Sequence, residues 1–148
     1  VGLLAAEIFG YRERRTLKYA HDLGLGGLLT NIIRDVGEDA RRGRVYLPLD
    51  ELQRFEVSLS DILAAKYSDN FRRLMEFQIE RAEHTYAQAL AQLPPCDRKA
   101  QRAGLMMAAI YRSLLAEIRR DGCRVLDRRI ALTPLRKLWL TWKTWLMN

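Results

Sequence analysis

The chain is poor in the residues that staple, break or sheathe a fold. Among 148 residues there are two cysteines, four prolines, nine glycines and two histidines. Two cysteines cannot build a disulfide framework, and neither Cys96 nor Cys123 stands in a metal-ligand spacing such as CxxC, which leaves a reduced, cytoplasmic compartment as the simplest expectation. No run approaches the roughly 20 uninterrupted apolar residues of a membrane span. The apolar opening at Val1 to Gly10 lacks the basic lead-in of a secretion signal. What is present is 49% hydrophobic residues, 29% charged residues and a net charge of +7. That mixture is too apolar for a disordered chain and too interrupted by charge for a membrane bundle, so it reads as globular. The positive excess points to a polyanion: nucleic acid, anionic lipid or a phosphorylated substrate.

Apolar residues recur at helical spacing almost throughout. Leu17, Ala20, Leu25, Leu28, Leu29, Ile32, Ile33 and Val36 predict one long helix from about Arg14 to Ala40, bent or closely packed where Gly24, Gly26 and Gly27 fall. Gly43 and Pro48 mark a connector with a short extended piece at Val45 to Leu47. A brief helix over about 50–55 follows, and another near Ser60 is capped by Ser58 or Ser60. Phe71, Leu74, Met75, Ile79, Ala82, Tyr86, Ala89 and Leu93 mark a helix from about Ser68, ended by Pro94-Pro95. A further helix spans about 98–121 with Gly122 behind it, and a last one follows Thr133-Pro134. The expected architecture is all-α, a bundle of long helices with short connections.

One segment stands apart: Asn31-Ile32-Ile33-Arg34-Asp35-Val36-Gly37-Glu38-Asp39. On an ideal helix Asn31, Asp35, Glu38 and Asp39 share an arc of roughly 100° over two turns. Acids at i,i+4 repel by a few tenths of a kcal/mol, a conflict that a cation between them removes. Mg²⁺ suits such an open face, because it takes one or two carboxylates, keeps several waters and completes its shell with substrate phosphate. Arg34 lies inside the segment and Arg41, Arg42 and Arg44 follow it, so guanidinium groups that grip phosphate stand beside the acids. The alternative is a solvated acidic face neutralised by its neighbours.

The run from Leu29 to Pro48, including Asn31-x-x-Arg34-Asp35-x-x-Glu38-Asp39 and Arg41-Arg42-Gly43-Arg44-Val45-Tyr46-Leu47-Pro48, resembles the second aspartate-rich motif of the squalene and phytoene synthase family. The likeness continues at Ile8-Phe9-Gly10, Tyr67 to Phe71, Ala108 to Tyr111 and Leu132 to Leu138. It looks most like the bacterial presqualene diphosphate synthase branch of hopanoid biosynthesis. The resemblance implies an isoprenoid synthase fold, a transferase that joins two farnesyl diphosphates head to head, and Mg²⁺, or Mn²⁺ in its place, as cofactor. It places Asp35 and Asp39 at the catalytic centre, Asn31, Asp35, Glu38 and Asp39 at the metal, and Asn31, Arg34, Arg44 and Tyr46 at the substrate diphosphate. No nicotinamide site is evident.

Members of that family are roughly twice as long, with a first aspartate-rich motif in an N-terminal half. The expectation is that residues 1–148 form the C-terminal portion of one domain, inactive alone, whose partner is the absent half. A second departure is Gly27-Leu28, where the family usually has a bulky residue and Gln. Phytoene synthase acting on geranylgeranyl diphosphate is the alternative within the family, and a catalytically dead assembly factor is the alternative outside catalysis. A nucleic-acid binder is not expected, because the arginines are dispersed and no recognition helix is evident. The tryptophans and cations of 135–147 suit peripheral contact with the inner face of a membrane. The soft, small side chains of Met106 to Ala109 suit an isoprenoid tunnel.

Overall fold

The computed structural model describes residues 1–148 as eight α-helices and one short 3₁₀ turn: α1 (Gly2–Phe9), α2 (Arg15–Arg34), α3 (Val36–Arg41), α4 (Leu49–Arg54), α5 (Leu59–Leu63), α6 (Asp69–Gln92), the turn Pro95–Asp97, α7 (Arg102–Arg120) and α8 (Pro134–Met147). The all-α expectation therefore holds, with α1 as an element that the periodicity alone did not reveal. No helix is long and apolar enough to cross a membrane.

The scaffold is α2 packed against α6. Ser68 starts α6 by accepting the backbone N–H of Phe71 at 3.0 Å, and the stripe from Phe71 through Ala89 is fully buried. Where the two helices meet, Gly26 lies against the ring of Tyr86 so closely that even a methyl group would collide with it. Thr30 Oγ1 donates to the Gly26 carbonyl at 2.8 Å and meets the Tyr86 hydroxyl at 2.8 Å. Gly26 thus serves close approach, whereas a Cβ at Gly24 or Gly27 would make only ordinary contacts, and the helix runs through all three without a break.

The expected continuous helix to Ala40 is interrupted further on, at Asp35, whose φ of −100° and ψ of 11° separate α2 from α3. The cause is tertiary. The backbone N–H of Gly37 donates to the Val125 carbonyl at 3.1 Å, and the 125–126 backbone lies so close that any Cβ at position 37 would strike it. A helix cannot keep its own ladder at a residue whose N–H is taken by another segment, so the chain turns there.

That segment, the connection from α7 to α8, is itself fixed. Gly122, at φ +78°, and Cys123, at φ +60°, reverse the chain after α7. Tyr67 Oη then accepts the N–H groups of Leu126 and Asp127 at 3.0 and 3.1 Å, and Arg41 donates to the Leu126 carbonyl at 3.0 Å. Val125, Leu126, Ile130 and Leu132 are buried against the α2–α6 core.

At the opposite end, α1 closes a smaller apolar cluster of Ala6, Tyr19, Ala20, Ala89, Leu93 and Leu105. The entry to α2 is held from afar. Buried Asp97 accepts the N–H groups of Arg12 and Glu13 at 2.7 and 3.1 Å and the Thr16 hydroxyl at 2.6 Å.

Candidate active site

The turn at Asp35 decides what the acidic segment can do. Arg34 forks onto the adjacent carboxylate, with Nε and Nη2 each 2.7 Å from an oxygen of Asp35. The anchored α7–α8 connection brings in a second guanidinium: Arg129 lies 3.3 Å from Asp35 and 3.8 Å from Glu38. Glu38 also accepts from Arg42 at 2.9 Å. The paired Arg34 guanidinium holds the Asp35 carboxyl below the usual carboxylate range against the opposing effect of partial burial, and Arg129 and Arg42 add to the shift. The Arg34 guanidinium is raised in turn, first by its hydrogen bonds to Asp35.

Asp39 is placed differently. Its carbonyl accepts the N–H groups of Arg42 at 3.0 Å and Arg44 at 2.9 Å, which fixes the turn after α3. Its partly exposed carboxylate, by contrast, has no side-chain or backbone partner, and the residue borders a tight hollow, too small for a water, with Ile32, Val36, Val45, Tyr46 and Leu47. The Asn31 amide likewise has no protein partner. The residues expected to serve the site are therefore split by the bend, with Asn31 and Arg34 before it, Asp35 at it, and Glu38, Asp39, Arg44 and Tyr46 after it. Asp35 and Glu38 share Arg129, Asp39 and Tyr46 share the hollow, and no three acidic, histidine or cysteine side chains converge on one point. Only the Asn31 amide and the Asp39 carboxylate are free of protein partners; the Asp35 and Glu38 carboxylates could add hard oxygen only in exchange for their guanidinium pairs. That fits Mg²⁺, which needs few protein ligands when substrate phosphate supplies the rest.

Next to this face lies a cleft of about 530 Å³. Arg34 comes to it from α2, Met107, Ile110, Tyr111 and Leu114 from α7, Arg129 to Leu132 from the connection, and Lys137 from α8. Three cations meet a mostly apolar wall, the surface that an amphiphile with an anionic head requires. Of the stretch Met106 to Ala109, Met107 lines this cleft, whereas Ala108 and Ala109 line a separate groove under α8, so these residues do not form one tunnel wall. Arg129, Lys137 and Tyr111 escaped the sequence reading. Only the tertiary fold carries the first two across about a hundred positions to Arg34, and no local spacing signals that.

His21 and His84 are exposed. Cys96 and Cys123 are free thiols on different parts of the surface and core, and burial pushes the Cys123 thiol up to about 11.

The model of the family described as squalene/phytoene synthase matches residues 1–136. Phytoene synthase of Mycobacterium tuberculosis is 41% identical over 140 residues, which cover 93% of this chain and 46% of that protein. Phytoene synthase of Arthrospira platensis is 44% identical over 119 residues, 78% of this chain and 38% of that protein. A crystal structure of a dehydrosqualene synthase in complex with ligand superposes with a TM-score of 0.71 at 28% identity, covering 86% of this chain and 45% of that one. The chain spans less than half the length of these relatives. With the match running through the acidic segment and on to the first turn of α8, the chain belongs to the squalene/phytoene synthase family.

Proposed function

We propose that this chain is the second-motif portion of a head-to-head prenyltransferase, and that the whole protein is a phytoene synthase joining two geranylgeranyl diphosphates. The observation that carries the reading is that Arg34 and Arg129, which pair with Asp35 and Glu38, also line a mostly apolar cleft. The phytoene synthase names of the relatives support the longer substrate over farnesyl diphosphate and the hopanoid branch.

In this reading Asn31, Asp35 and Asp39, supported by Glu38, would hold Mg²⁺, which would supply positive charge to a departing diphosphate. Arg34, Arg129 and Lys137 grip phosphate oxygens from the cleft, while Arg44 and Tyr46 reach them from the Asp39 side. Met107, Ile110, Leu114, Ile130 and Leu132 keep water from the reacting carbons, which protects an allylic cation from capture. Farnesyl diphosphate giving presqualene diphosphate is the second reading, supported by the superposition on a dehydrosqualene synthase.

Incubation of the complete protein with each prenyl diphosphate and Mg²⁺, followed by mass spectrometry of the product, separates the two. A product from geranylgeranyl diphosphate supports the first. Turnover of farnesyl diphosphate alone replaces it with the second, and no turnover of either assigns the chain to an assembly factor.

A further inference from the structure

The phenol of Tyr67 has one proton and two lone pairs, and all three are used on one short stretch of chain. It accepts the N–H groups of Leu126 and Asp127 at 3.0 and 3.1 Å and donates to the Asp127 carboxylate. Partial burial, and after it the bond to Asp127, raise the hydroxyl above its ordinary range, so it keeps its proton and this pattern at neutral pH. From the opposite side Gly37 of α3 donates to the Val125 carbonyl at 3.1 Å and Arg41 to that of Leu126 at 3.0 Å. The peptides from Val125 to Asp127 are thus gripped between Tyr67 and the helix that carries Glu38 and Asp39.

Beyond the clamp the chain has no such hold. From Arg128 to Leu132 the backbone makes no hydrogen bond with backbone elsewhere. Burial of Ile130 and Leu132 fixes the depth of this segment, but apolar burial is non-directional and leaves its register open. Arg129 stands in this segment, two residues after Asp127, and its guanidinium must arrive 3.3 Å from Asp35 and 3.8 Å from Glu38. At no more than about 3.6 Å per residue, its Cα lies within about 7 Å of the last clamped residue, so the place of Asp127 decides what the guanidinium can reach. Tyr67 itself is set by the scaffold. It directly precedes the Ser68 cap of α6, and its ring stands edge-on to buried Phe71 with centroids 6.0 Å apart. It lines no part of the cleft.

We propose that Tyr67 is a positioning residue: from outside the cleft, its hydroxyl sets the register of the α7–α8 connection and so delivers Arg129 to Asp35, Glu38 and the substrate diphosphate. The last of these rests on the reading of Arg129 as a phosphate contact given above; the clamp on Arg129 does not.

Isothermal titration of the complete protein with inorganic pyrophosphate, as parent, Tyr67→Phe, Arg129→Ala and the double variant, tests it. Tyr67→Phe keeps the ring on Phe71 and removes only the hydroxyl. It should weaken pyrophosphate about fivefold, the scale of one hydrogen bond, and cause no further loss once Arg129 is already alanine. Trypsin reads the clamp without any ligand: cleavage after Arg128 and Arg129 should be about tenfold faster in Tyr67→Phe, because cutting follows the population of the opened segment. Should Tyr67→Phe not fold, Asp127→Ala carries the same cycle, since it removes the acceptor that orients the hydroxyl. An unchanged affinity or cleavage rate overturns the proposal. So does a loss of affinity equal in size with and without Arg129, which would mark a general loosening of the fold. Faster cleavage in a protein whose parent binds no pyrophosphate counts against the proposed reaction and leaves Tyr67 as the clamp on Arg129.

Discussion

Asp97 and Asp39 are the same residue type in opposite circumstances. Asp97 is buried at the edge of the small apolar cluster, and its two oxygens accept three hydrogen bonds from the turn that begins α2. Asp39 lies half open at the edge of a hollow with no partner for its carboxylate. A buried carboxylate that already accepts three hydrogen bonds from its own protein has little capacity left for a ligand, whereas one held in place by its backbone alone keeps both oxygens free. Asp35 stands between them, paired by Arg34 and Arg129 yet still partly open. Composition cannot separate these three acids; their partners do.

The comparison breaks most sharply at Asp39. If the proposed reaction holds, Asp39→Asn in the complete protein should lower kcat by about 10²–10³, the scale of losing one electrostatic contact to a developing charge, with melting temperature nearly unchanged. A fall in melting temperature that matched the loss of rate would make Asp39 structural and merge it with Asp97. Asp97→Ala should do the reverse. It strands the N–H groups of Arg12 and Glu13 and the Thr16 hydroxyl, and about 3 kcal/mol of stability should be lost. Denaturant unfolding measures it, and a loss under about 0.5 kcal/mol would remove Asp97 from the structural side of the contrast.

A smaller effect is expected at Arg129, which belongs to both sides. It neutralises Asp35 and Glu38 and also lines the cleft. Arg129→Ala should weaken the binding of inorganic pyrophosphate about tenfold while tightening Mg²⁺ measured alone, because a competing cation is gone from the acids. If both affinities fell together, Arg129 would be a positioning residue for the acidic face instead of a phosphate contact. Isothermal titration reads the two ligands separately.

How far the sequence carried this picture follows from which forces are local. The cap at Ser58, the start of α6 near Ser68, the stop at Pro94-Pro95 and the buried stripe of α6 depend on neighbours within a few residues, so periodicity and capping rules found them. The Asn31 to Asp39 segment was legible as chemistry for the same reason. Its bend was not, since it is set by the Gly37 N–H turning to Val125, 88 positions away. Arg129 and Lys137 were illegible on the same ground: in the sequence they are two more basic residues among 25. Asp97 looked like one more isolated acid, because its partners lie more than 80 residues earlier.

The pH dependence of stability should rank the same acids once more. The Asp97 carboxyl is held below its ordinary range: burial pushes it up, but the Thr16 hydroxyl and the Arg12 and Glu13 N–H groups together outweigh that. Asp35 is also lowered, chiefly by Arg34. A group lowered in the folded state contributes fully above its unfolded value, and that contribution disappears as the pH falls through the folded value. Stability should therefore fall as pH drops below about 4, the ordinary carboxylate range, and Asp97→Asn should flatten part of that slope. Salt distinguishes the two sources. The Asp35 pair is partly exposed and charge-based, so 0.5 M salt should shrink its share, while the Asp97 share, built from buried hydrogen bonds to neutral donors, should persist. A slope in Asp97→Asn identical to that of the parent at high salt would show that the buried hydrogen bonds do not set the acid limit. The half-open pairs around Asp35 would then have to carry it despite screening.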